Sequence, residues 1–190
     1  MHLIVGPFPR PVNAAGILRS DSTPTGRDDM NEDAEAAKKY SLRMIPYGLY
    51  VLGAKAGDET NAGAVNWVTQ TSFSPPLVAM GVKRDSGLYA ALKQSGQFAL
   101  SFLESGQKDI AFSFFKPTAV EGGTINGHAF EVFETGAPVI SAAPAWIEGK
   151  IVGELDLGDH SCVVGEVTNA GVRRDAKSLT LEECGVKYGG

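Results

Sequence analysis

Apolar residues in this chain come in short blocks broken by Pro, Gly, Asn and Asp. Tyr47 to Ala54 is apolar and β-prone, with Pro46 before it and Gly57-Asp58 after it, which predicts a strand and a hairpin turn. Residues 60–71 and 76–82 predict two further strands, separated by the chain break at Pro75-Pro76. Asp85 or Ser86 caps a helix over 87–95, with Leu88 and Leu92 on one face and Gly96 as its stop. Gln97 to Leu103 reads as a strand. Ser105 is expected to cap a second helix over 106–116, with Ile110, Phe114 and Phe115 on its buried side and Pro117 ending it. Residues 118–128 read as a loop with a turn at Asn126-Gly127.

Further on, Ile147, Ile151, Leu155 and Leu157 alternate with Glu148, Lys150, Glu154 and Asp156. That pattern predicts a half-buried strand over 145–157, bent at Gly149 or Gly153. Gly158-Asp159 is a turn, His160 to Thr168 the return strand, Arg173 to Lys177 a polar turn and Leu179 to Gly190 a short tail. Many short strands with two inserted helices point to a mostly β, antiparallel barrel. Residues 1–30 show no period and carry scattered Pro, Gly, Ser and Asp, as a poorly ordered tail does. Met30 opens a short helix-prone stretch rich in Ala, Glu and Lys and is one candidate for the true start. The chain is therefore read as a tail with a short helix over 1–38 and a domain over 39–190.

Composition narrows the function classes. A chain of 190 residues with 43% apolar content can build one core. A net charge of −5 argues against nucleic acid as a partner. Cys162 and Cys184, 22 positions apart, form neither a disulfide framework nor a zinc pattern, and Cys162 is expected to be packed on its strand. No apolar run approaches the ~20 residues of a membrane span, and the N-terminus lacks the features of a secretory signal, so a cytoplasmic protein is expected. Dinucleotide-fold, P-loop and serine-hydrolase motifs are missing, and His2, His128 and His160 lack ligand spacing, so no metal site is expected.

Candidate chemistry gathers in Asn61 to Ser86. Small residues (Ala62, Gly63, Ala64) lie between Asn61 and Asn66, and Trp67 and Val68 lead into Thr69, Gln70, Thr71 and Ser72. After Pro75-Pro76 an apolar run ends at Lys83-Arg84-Asp85-Ser86. Cations at the end of a strand, next to a helix start with free N–H groups, make an anion site. The same residues also suit a plain solvated strand end. With small and polar groups upstream, the layout fits a flat polar ring with a phosphate tail. His160, after Gly-Asp, is most simply a turn residue.

Four segments then resemble one family: Ile45 to Val51, Asn66 to Val78, Gln97 to Ser101, and Gly158 to Ser161 with Gly165-Glu166-Val167. In this order they resemble the flavin reductases with an FMN-binding split β-barrel, a Greek-key-like antiparallel barrel. One departure is Ser101, where relatives often carry Asn. The resemblance implies a homodimer, non-covalent FMN, and hydride transfer from NADH or NADPH. It implies FMN contacts from Asn66, Trp67, Val68, Thr69, Thr71 and Ser72 on the ring, with packing from Trp67 or Phe115. It favours phosphate binding by Lys83, Arg84 and Ser86, and turns His160 towards the active site in a supporting role at the nicotinamide. Reduced flavin would pass to a monooxygenase. A flavoredoxin-like carrier with tightly held FMN and a protein partner, or a non-redox flavin-binding module, remain alternatives. Tyr188 is read as closing over a partner subunit or as part of a frayed end.

Overall fold

The computed structural model describes residues 27–189, with side chains from residue 33 onward; of the tail expected over 1–30, residues 1–26 lie outside the described residues, and 27–30 are helical. The chain divides into two units, Met1–Lys38 and Lys39–Gly190. In the first, helix α1 (Arg27–Arg43) begins, and Lys38 pairs with Glu35 one turn away at 2.7 Å. Among the described residues the second unit carries the end of α1, eleven strands and two further helices. In chain order these are β1 (Tyr50–Ala56), β2 (Glu59–Val65), β3 (Val68–Phe73), β4 (Pro76–Lys83), α2 (Gly87–Ser95), β5 (Gln97–Phe102) and α3 (Lys108–Ser113). They are followed by β6 (Val120–Glu121), β7 (Thr124–Ile125), β8 (His128–Val132), β9 (Pro138–Ile140), β10 (Ala145–Leu155) and β11 (His160–Val172).

Seven strands form one antiparallel sheet in the order β2-β1-β5-β10-β11-β4-β3. Its two edges, β2 and β3, are consecutive in the chain and joined only by Asn66 and Trp67. Three Cα–Cα steps reach at most about 11 Å. The sheet must therefore curl until its edges nearly meet. Among the described residues β2 and β3 do not pair with each other, so the ring is left open at this seam. A cluster of Leu52, Met80, Phe98, Leu100 and Val163 fills the inside of the curl, and α2 closes it with Leu88 and Leu92. Ser86 caps α2 by accepting from the Tyr89 N–H at 3.1 Å, and Gly96 ends it at φ 65°.

The outer face of β1 and β5 is also covered. Leu49, Val51, Leu103, Phe114, Ile125, Ile140, Leu179 and Leu181 form a second core there. Several expectations need correction on this side. The loop over 118–128 contains β6 and β7, which with β8 and β9 make a four-stranded sheet. Asn126 and Gly127 form the β7–β8 turn, both with positive φ (48° and 84°), as a two-residue hairpin turn that follows the strand twist requires. The helix over 106–116 is only α3, and its cap position is Gln107. Ser105 instead donates to Glu183 at 2.9 Å. Phe115 lies past the helix end and is exposed. The C-terminal tail is bound in, with bridges Gly48–Thr180 and Glu104–Ser178 and with Leu179 buried. The Ser101 hydroxyl accepts the Ile140 N–H at 3.0 Å and so ties the main sheet to β9.

The β10–β11 hairpin corrects the simple alternation. Register shifts fall at Glu148/Gly149 and Ile151/Gly153, the two places where a bend was expected. Glu148 does not face solvent; its side chain is fully buried. Its carboxylate accepts from the Glu134 N–H, the Thr135 N–H and hydroxyl, and Asn169 Nδ2, which offsets the loss of water. At the far end Leu155 and Leu157 are exposed because no element covers that tip. Cys162 is exposed as well: its neighbours Ser161 and Val163 take the covered face, which leaves Cys162 on the other.

Candidate functional site

A cavity of about 620 Å³ opens where the two sheet edges approach. One wall is β2 from Asn61 to Val65, continued by Asn66 and Trp67. The start of α2 forms a second wall, with Lys83 and Asp85 beside it. Phe114 to Thr118 make a third. His160, Leu181, Val186 and Tyr188 close the remaining side.

The α2 end gathers free donors and a cation. Ser86 Oγ donates to the Lys83 carbonyl at 2.7 Å while it caps Tyr89. The N–H groups of Gly87 and Leu88, in the first turn, have no intrahelical acceptor, and both residues line the cavity. Two lysines, Lys83 and Lys116, line the same cavity. Lys83 Nζ rests 3.1 Å from Asp85 Oδ1. An ion pair this exposed is worth little, so an entering phosphate can displace it. The helix dipole adds to the attraction.

The other end is aromatic and holds unsatisfied donors. Asn66 is only 8% exposed, and its Nδ2 has no partner. Trp67 Nε1 is also buried without a partner. Leaving such a group unpaired costs about 1–3 kcal/mol, and orphaned donors of this kind call for an explanation. Both residues line the cavity. The backbone holds this wall in place: Gly81 N–H donates to the Trp67 carbonyl at 2.8 Å. A Cβ at Gly81 would lie 2.8 Å from Trp67 Cε3, so only glycine lets the indole lie this close to β4.

His160 packs against Trp67 with ring centroids 4.6 Å apart, and its side chain is 13% exposed. Its Nε2 is 3.1 Å from the Tyr188 hydroxyl, and Tyr188 itself lies 5.5 Å from Trp67, ring to ring. His160 Nδ1 sits 3.0 Å from Asp159 Oδ1, outside hydrogen-bond geometry. The imidazole beside it holds the Asp159 carboxyl below the usual carboxylate range.

Of the residues expected from sequence, the cavity brings together Asn66, Trp67, Lys83, Ser86, Phe115 and His160. Val68, Thr69, Thr71 and Ser72 lie on edge strand β3 and do not line it; Thr69 Oγ1 is 3.4 Å from the Gln70 carbonyl. Arg84 points elsewhere, with Nη1 donating to the Gly158 carbonyl at 3.2 Å. Lys116, Thr118 and Tyr188 line the cavity without having been expected there. A lysine before Pro117 and a tyrosine near the C-terminus carry no periodic signal. Among the described residues no cluster of His, Cys, Asp or Glu could hold a metal ion.

Comparison with known proteins agrees with this architecture. The model of the flavin reductase like domain matches residues 42–188. The ferric-chelate reductase (NAD(P)H) of Archaeoglobus fulgidus is 33% identical over 143 residues, which cover 73% of this chain and 83% of that protein. A putative diflavin flavoprotein A 3 of Nostoc is 32% identical over 128 residues, 67% of this chain but only 22% of its own length. This chain thus spans about a quarter of the diflavin flavoproteins it matches. The solved styrene monooxygenase flavin reductase SMOB from Pseudomonas putida S12 superposes with a TM-score of 0.60 at 27% identity, over 68% of this chain and 83% of that one. With a family match from residue 42 to 188 on a curled, mostly β sheet with few helices, the chain belongs to the flavin reductase like domain family.

Proposed function

We propose that this chain is an NAD(P)H:flavin oxidoreductase that uses FMN. The single observation that carries the reading is one cavity with an anion end and a donor-rich aromatic end, at the open seam of the sheet. The orphaned Asn66 Nδ2 and Trp67 Nε1 fit the polar edge of a flavin ring. Lys83 and the first-turn amides of α2 fit its phosphate, while Ser86 holds the turn that presents them. Phe115 offers an apolar cover. Bound FMN would accept a hydride from NADH or NADPH; the chemistry belongs to the cofactor. The chain's own work is to hold both partners close and keep water out. His160 and Tyr188 form the wall on the solvent side, where a nicotinamide would enter.

The fold we propose is the split β-barrel, and the open β2–β3 seam supports it. A homodimer is proposed as well. Phe73, Leu155 and Leu157 present exposed apolar side chains that a second copy would cover. Reduced flavin would pass to a separate oxygenase, by analogy with a styrene monooxygenase flavin reductase. No described helix is long and apolar enough to cross a membrane. Both cysteines are free, which suits the reducing cytoplasm proposed here.

Anaerobic mixing of the protein with NADH and FMN tests the reading. Catalytic bleaching of the flavin band supports it. Flavin that is retained but reduced only by a protein donor would favour an electron carrier instead.

A further inference from the structure

Two adjacent cations end β4, and the structure sends them in opposite directions. Lys83 lines the cavity, while Arg84 does not. The Arg84 backbone N–H donates to the Asp159 carbonyl at 3.0 Å, and its Nη1 donates to the Gly158 carbonyl at 3.2 Å. Its Nη2 lies 4.0 Å from Asp156 Oδ2. Asp156, Gly158 and Asp159 of the β10–β11 turn thus all meet one residue.

The tip of that turn packs against little. Leu157 is 84% exposed, the Asp159 side chain is 86% exposed, and Gly158 has no side chain to pack. The turn leads straight into His160, the first residue of β11, where the ladder to β4 begins at the His160–Lys83 pair. Ladder ends fray when nothing anchors the chain beyond them. On the other side, Tyr89 of α2 donates from its hydroxyl to Glu154 at 2.6 Å and lies 3.0 Å from Asp156, and Lys93 pairs with Glu154 at 2.8 Å. The turn is therefore tied to both β4 and α2, the two elements that build the anion end.

We propose that Arg84 is a positioning residue. Its side chain clamps the Gly158-Asp159 turn so that the His160 ring stays against Trp67, and it takes no part in holding the phosphate. The consequence for turnover rests on the proposed reading that a nicotinamide meets the His160 end. The clamp itself does not, since it is made by contacts within the chain alone.

The test has two arms that separate these levels. In the flavin-free protein, the His160 ring protons should carry an upfield shift from the Trp67 ring. Arg84→Ala should move them towards unstructured values, and Arg84→Lys, which keeps a donor, should move them less. In the enzyme, Arg84→Ala should raise the KM for NADH about fivefold, the scale of one lost hydrogen bond, with FMN affinity kept within twofold. The same substitution made on top of His160→Ala should add no further rise in KM. A tenfold loss of FMN affinity in Arg84→Ala would make Arg84 a phosphate ligand and overturn the proposal. Unmoved His160 resonances, or effects of the two substitutions that multiply, would overturn it too. If the wild-type protein turned over no NADH with FMN, the proposed function would fall, and the resonance arm would still decide the clamp.

Discussion

The two ends of the cavity are made in different ways. The anion end is local: Lys83, Asp85, Ser86, Gly87 and Leu88 are neighbours in the chain, and a strand end running into a capped helix is enough to assemble them. The aromatic end is assembled from afar. Trp67 comes from the seam between sheet edges, His160 from the start of β11, and Tyr188 from the C-terminal segment. A local site survives small shifts of the sheet; a composite one depends on how every strand is placed. The difference teaches where substitutions should act on ligand binding as a whole and where they should act on one group of the ligand.

The largest effect is expected from breaking the composite end. Gly81→Val puts a Cβ within 2.8 Å of Trp67 Cε3 and forces the indole away. It should cost about 1–3 kcal/mol of stability and abolish binding of FMN and riboflavin alike in a fluorescence titration. Riboflavin binding that persisted would show that Trp67 is no wall of the ring site. Next, Lys83→Ala should weaken FMN about tenfold or more, the scale of a charge-assisted hydrogen bond, and leave riboflavin, which has no phosphate, unaffected. Equal losses for both ligands would erase the distinction between the two ends. Ser86→Ala should remove about 1 kcal/mol from unfolding stability in urea, because Tyr89 N–H loses its acceptor.

The smallest effect is electrostatic. His160 depresses the Asp159 carboxyl, so this contact contributes stability above the ordinary carboxylate range and loses it as pH falls through the depressed value. In His160→Ala, the Asp159 carboxyl should return upward towards its ordinary range, measured by NMR titration of its side-chain carbon. An unchanged titration would place the cause elsewhere.

Local chemistry was legible in the sequence where one short segment decides it. The Ser86 cap, the Gly96 stop and the Asn126-Gly127 turn were all expected and all occur. Alternation misread β10, because it assigns Glu148 to water by type, whereas four donors from two other segments make its burial tolerable. It also missed that β1 is covered on both faces, since the second cover comes from β7, β9 and the C-terminal segment. Phe115 looks like a helix core residue in the sequence, but α3 ends at Ser113 and leaves it outside. Arg84 beside Lys83 reads as half of a cationic pair, and nothing in their adjacency shows that one turns to the cavity and the other to Gly158.

By itself the sequence determined the short β-rich blocks, the capped α2 and its cations, and the family, because each is carried by residues within one stretch or by the order of a few stretches. The tertiary structure alone decided that Asn66 and Trp67 bridge the sheet's two edges, that their side-chain donors are left without partners, and that His160 and Tyr188 meet Trp67. Those facts depend on the curl of a seven-stranded sheet, and that curl arises from pairings as distant in the chain as Leu77 with Glu166, which no local pattern records.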